Sequence, residues 1–122
     1  MGIFGMIELE ESQIATKQYG LTVKHEIEYN TSNLTEIEVN NIADGFIEHA
    51  FFDLDTAKYI YAEKEGDTFE IYIPISEFYI NDPETLQKLT VLREKMDSYI
   101  KDETVIINLV VDSYDDIIHI IK

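Results

Sequence analysis

The sequence predicts an α+β domain: a mainly antiparallel sheet of about five to seven strands with two helices packed on one face. Three observations carry that expectation. Several segments alternate apolar and polar residues with period 2, the mark of a half-buried strand. Two others space apolar residues by three and four behind a capping residue, the mark of an amphipathic helix. Finally, 45% of the 122 residues are apolar and none is cysteine, so the core needs no disulfide and no Cys-ligated metal. No Pro-, Gly- or Ser-rich linker divides the chain, and residues 1–122 read as one domain.

In chain order, Ile3 to Glu10 sets Ile3, Ile7 and Leu9 among Glu8 and Glu10 and reads as a short strand. Glu11 to Gly20 reads as a loop or helical turn, closed by Gly20. From Thr22 to Tyr29 the pattern is clearer. Val23, His25, Ile27 and Tyr29 alternate with Lys24, Glu26 and Glu28, which predicts a strand. Asn30-Thr31-Ser32-Asn33 is turn chemistry. Leu34 to Asn40 reads two ways. Ile37 and Val39 alternate with Glu36, Glu38 and Asn40, as in a returning strand, while Thr35 and Glu38 fit a capping box; the strand is preferred. Asn40 or Asn41 then caps a helix running to about Phe52, striped by Ile42, Phe46, Ile47, Ala50 and Phe51. Gly45 inside it costs about 1 kcal/mol relative to alanine, so packing must hold this helix.

Lys58 to Ile75 reads as a hairpin. Tyr59-Ile-Tyr-Ala and Phe69-Glu-Ile-Tyr-Ile flank a turn at Gly66, with Pro74 marking a strand end. Asp82-Pro83-Glu84 is a strong helix start, followed by an apolar face of Leu86, Leu89, Leu92, Met96, Tyr99 and Ile100. Thr104 to Val111 reads as a central strand, interrupted by Asn108, and Ile117 to Ile121 as the last one.

The 25 acidic residues outweigh 9 basic ones, for a formal charge of −16. That balance disfavours nucleic acid and anionic membrane as partners and favours a basic protein. No apolar run approaches the roughly 20 residues a membrane helix needs, and no basic leader precedes one, so a cytoplasmic location is expected. The isoleucine-rich composition with one arginine, Arg93, is the bias of a low-GC bacterial genome.

Signatures of chemistry are sparse. There is no G-x-S-x-G and no Gly-rich phosphate loop. His49, Asp53 and Asp55 form the best metal-like group, since His49 and Asp53 share a face if the helix continues. That group is the basis of one alternative, a small metal-dependent enzyme, although a solvated helix end is the commoner meaning of such a pattern. No cofactor is implied. His25 and His119 lie within predicted strands, where a hydrogen-bonded, half-buried imidazole is the ordinary role.

The more informative group is aromatic. Tyr59, Tyr61 and Tyr72 come from the two arms of one hairpin. With Glu63 and Glu70 they make an acidic, phenol-bearing surface, a composition common at protein interfaces. The expected role is therefore a non-catalytic binding domain docking on a basic protein. Bacterial immunity proteins and small inhibitors of basic toxins share this size and charge, an analogy of bulk properties and not of residues. A homodimerisation module, joined through an uncovered sheet face or the final strand, is the other alternative.

Overall fold

The computed structural model describes residues 13–53, 56–100, 103–111 and 116–122. They form a six-stranded sheet and two helices: β1 Ile14–Tyr19, β2 His25–Asn30, α1 Glu36–Glu48, β3 Tyr59–Glu65, β4 Thr68–Pro74, α2 Pro83–Met96, β5 Thr104–Val110 and β6 Ile117–Ile121. A 3₁₀ turn, Glu77–Tyr79, precedes α2. The class is α+β, as expected.

The strands lie in sequence order across the sheet. The sheet is mixed, which corrects the expectation of a mainly antiparallel one. β1–β2, β3–β4 and β5–β6 pair antiparallel, whereas β2–β3 and β4–β5 pair parallel. The reason lies in the connections. Parallel neighbours need a crossover of a dozen or more residues, and each parallel pair here is joined through a helix. Period-2 alternation is the same in both kinds of ladder, so the sequence pattern could not separate them.

Two further elements depart from expectation. Leu34–Asn40 is not a strand. Thr35 caps α1 in a full capping box, its side chain accepting from the Glu38 N–H while Glu38 Oε1 accepts from the Thr35 N–H at 2.9 Å. Helix wins because Val39, Ile42, Ala43 and Phe46 make one buried stripe, leaving Ile37 exposed. The helix thus begins and ends earlier than Asn40 to Phe52. Ile14–Tyr19, read as a loop, is a strand. Its inward positions are Ala15, Lys17 and Tyr19, a weak apolar signal. The expected strand at Ile3–Glu10 lies outside the described residues.

α1 ends in a Schellman motif. The Phe51 N–H reaches Phe46 O at 2.9 Å and the Ala50 N–H reaches Ile47 O at 3.2 Å. Phe46 and Phe51 supply the accompanying apolar contact, with ring centroids 4.9 Å apart. The left-handed position is taken by Ala50, at φ 61°. Gly45 has a packing reason: a Cβ there would stand 2.5 Å from Met96 Sδ, so α1 meets α2 closely at that point. In the β3–β4 turn Gly66 has φ 61° as the first central residue, the sign a type II′ hairpin requires.

One core cluster joins Ile27, Tyr29, Ile60, Ala62, Phe69, Ile71, Ile73, Val105, Ile107 and Leu109 of the sheet with the buried stripes of α1 and α2. No helix among the described residues is long and apolar enough to cross a membrane.

Candidate protein-binding face

Alternation along each strand sends Ile27, Ile60, Ile71 and Ile107 to the core and their neighbours to the opposite face. The register aligns that opposite face into rows. One complete row reads Thr16, Glu28, Tyr61, Tyr72, Asn108, Ile120 from edge to edge. The row beside it contains Glu63, Glu70 and Ile106. Tyr59 and Glu26 are cross-strand partners on the other side. The five residues expected to form an interface, Tyr59, Tyr61, Glu63, Glu70 and Tyr72, therefore share one sheet face.

Their exposure is graded. Tyr59 is 54% exposed, while Tyr61 and Tyr72 are half-buried, with ring centroids 5.7 Å apart. The Tyr61 hydroxyl donates to Glu63 Oε1 at 3.1 Å. Burial, and after it the Glu63 charge and hydrogen bond, push the Tyr61 phenol well above its ordinary range. Asn108, buried in β5, donates Nδ2 to Glu70 Oε1 at 3.2 Å and holds that carboxylate in place.

The electrostatics of this face are one-signed. Its charged strand positions are Glu26, Glu28, Glu63, Glu65 and Glu70, without a lysine or arginine. None of these carboxylates takes part in an ion pair among the described residues. Glu63 and Glu70 stand directly opposite each other across β3 and β4. Like charges in that relation destabilise a sheet.

The metal-like group looks different in three dimensions. α1 stops at Glu48 with His49 as its C-cap, so no continuous helix carries His49 and Asp53 on one face. His49 packs edge-on against Tyr99, at 5.9 Å. Asp53 Oδ1 accepts the Thr56 N–H at 3.0 Å, and Oδ2 lies 3.4 Å from Lys58 Nζ. Asp55 lies outside the described residues. No group of three or more candidate ligands comes together among the described residues.

Nor do the other histidines converge. His25 and His119 stand on β2 and β6, four strand spacings apart, or roughly 19 Å. His25 is buried and stacked on Phe52, with centroids 4.5 Å apart. Its Nδ1 accepts the Lys58 N–H at 3.0 Å, so Nε2 carries the proton and donates to Asp53 O at 2.7 Å. Both nitrogens are occupied in tying the loop after α1 to β2, which leaves this imidazole no free base position.

Sequence reasoning missed Glu26, Glu28 and Asn108 as members of the face. Glu26 and Glu28 were legible as outward residues of a strand, but only the β2–β3 pairing sets them beside Tyr59 and Tyr61. Asn108 was the one polar residue in an apolar run, a signal in itself. No protein-family model, curated protein or solved structure matches this chain.

Proposed function

We propose that this chain is a non-catalytic, cytoplasmic binding protein that docks a basic protein on its acidic, tyrosine-bearing sheet face, in the manner of an immunity protein or inhibitor. Both helices lie on the other side of the sheet in this reading. The observation that carries it is the row Glu28, Tyr61, Tyr72, Asn108 beside the opposed pair Glu63 and Glu70. A sheet face kept for solubility alone gains from mixed charges and cross-strand Glu–Lys pairs. Here the carboxylates stand together with one exposed and two half-buried phenol rings among them. Such a surface steers a cation toward it and then offers aromatic area to bury.

Two-dimensional NMR of the full chain titrated with a lysine-rich peptide tests the reading. Shifts should concentrate at Tyr59, Tyr61, Glu63, Glu70 and Tyr72 and fade as salt rises past about 0.15 M, where the screening length is about 8 Å. A glutamate-rich peptide should leave them still. Shifts spread evenly over the acidic surface, or centred on the helices, would remove the reading.

A further inference from the structure

A groove on the helical side, remote in chemistry from the acidic face, has its own character. It lies between the end of α1 and one face of α2, has a volume of about 530 Å³, and falls within the roughly 300–1,000 Å³ of small-molecule sites. Phe51, Leu89, Val91 and Leu92 line it with hydrocarbon. Lys88 and Lys95 also line it; with Val91 they follow a three-then-four spacing that puts them on one stripe of α2.

Those lysines stand out against the charge of the chain. Lys17, Lys58, Lys64 and Arg93 are each engaged by a carboxylate. Lys95 forms no ion pair among the described residues. Lys88 meets only Glu84, at 3.4 Å, with both side chains about three-quarters exposed, a pair of little worth. An apolar trough thus carries two weakly committed ammonium groups in a protein of charge −16.

A second observation falls at the same place. Ala50, the one non-glycine residue with positive φ among the described residues, lines the groove. Glycine is the usual occupant of that position in a Schellman motif, and strained backbone of this kind gathers at ligand sites. Its methyl group adds to the apolar wall.

We infer that this groove binds a medium-chain carboxylate, of the fatty-acid class, with the hydrocarbon against Phe51, Leu89, Val91 and Leu92 and the anionic head on Lys95 and Lys88. The test is an NMR titration of the full chain with sodium decanoate below its micelle concentration, set beside the neutral 1-decanol. Saturable shifts at His49, Phe51, Val91 and Lys95 are expected, with decanol at least tenfold weaker. Lys95→Glu should weaken decanoate at least fivefold and leave decanol unchanged. Val91→Asp, at a site already 40% exposed, should weaken both without unfolding the chain. A Glu63→Lys/Glu70→Lys variant should bind decanoate as the parent does, which separates this site from the sheet face. Equal affinity for decanol, shifts outside the groove, or no saturation would overturn the inference. So would concentration-dependent broadening of groove resonances before any ligand is added, which would assign the groove to a second copy of the chain.

Discussion

The two faces of the sheet solve opposite problems with adjacent residues. On β4, Phe69, Ile71 and Ile73 enter the core, while Glu70 and Tyr72 between them belong to the acidic face. The covered side also holds charge, but only in partnership. Lys64 Nζ lies 2.8 Å from Glu38 Oε2 and 2.9 Å from Glu103 Oε2, although the Glu103 oxygen lacks hydrogen-bond geometry, so that contact is Coulombic. Lys17 meets Glu36 at 2.7 Å, bracing β1 against the start of α1. The other face holds five glutamates that form no ion pair among the described residues. A charge withdrawn from water must be matched by a partner, whereas a wet one need not be, and in the proposed reading the unmatched cluster serves docking.

The sharpest way to break this contrast is to truncate neighbours. Ile71→Ala should cost about 2–5 kcal/mol, because a fully buried isoleucine leaves a cavity. Tyr72→Ala, one residue on, should cost less than about 1 kcal/mol, since its ring is only half-buried and its removal opens no enclosed cavity like that at Ile71. Urea unfolding of the two variants measures the difference. A comparable loss for both would mean that the tyrosine face is covered.

Lys64 tests the paired charges. Lys64→Met leaves Glu38 and Glu103 facing each other without their cation, and about 1–2 kcal/mol should be lost, less than for a fully buried pair because all three side chains are about one-fifth exposed. The pH dependence follows with a definite sign. Burial alone would raise the Glu38 carboxyl, but hydrogen bonds from Lys64 and Thr35 outweigh it and hold the group below the usual glutamate range. The hydrogen bond and charge of Lys17 do the same for Glu36. A depressed carboxyl stabilises the fold above its unfolded value, and that stability is lost as pH falls through the folded value. Lys64 itself is raised, chiefly by its hydrogen bond to Glu38 and by the adjacent Glu103 carboxylate, so its share is present below the ordinary lysine value and lost only in strong alkali. Glu38→Gln should therefore flatten the decline of stability below about pH 5 and leave the neutral plateau lower. Thermal melts from pH 7 to pH 3 read both effects.

Much of the covered face was legible because burial imposes alternation on each strand. Val105 to Val110 and the Phe69 to Ile73 series could hardly be anything else. What escaped was information held between segments. Lys17 points inward because Glu36, nineteen residues away, meets it there, so a strand with a lysine in its inward series looked like a loop. Leu34–Asn40 carried a short period-2 pattern and a capping box at once, and the longer buried stripe through Phe46 decided for helix. The five residues of the proposed docking face were legible as a group because they lie on one hairpin, whose pairing is local. Glu28 and Asn108 were not, because they join the face only through parallel pairings across helices.

The end of α1 offers a smaller effect of opposite direction. Ala50→Gly relieves a left-handed conformation and should stabilise by roughly 0.5–1 kcal/mol. Gly45→Ala supplies the control. It improves helix propensity by about 1 kcal/mol but drives a Cβ into Met96, so it should show a net loss of about 1 kcal/mol. If Gly45→Ala also gained stability, helix propensity would decide at that position and the close approach of α1 to α2 at Met96 would carry no weight.

Glu63→Lys is the smallest change and divides stability from function. It replaces the opposed Glu63 and Glu70 by a cross-strand pair of opposite charge, and the fold should gain about 0.2–1 kcal/mol in urea. The same substitution removes a carboxylate from the face and introduces its first strand cation, so association with a lysine-rich peptide should slow and lose part of its salt dependence. The two measurements must move in opposite directions if the glutamates are retained for docking, because a face kept for solubility would accept the more stable pair without loss of binding. A variant that is more stable and still binds as the parent does would leave the opposed carboxylates with no role in recognition.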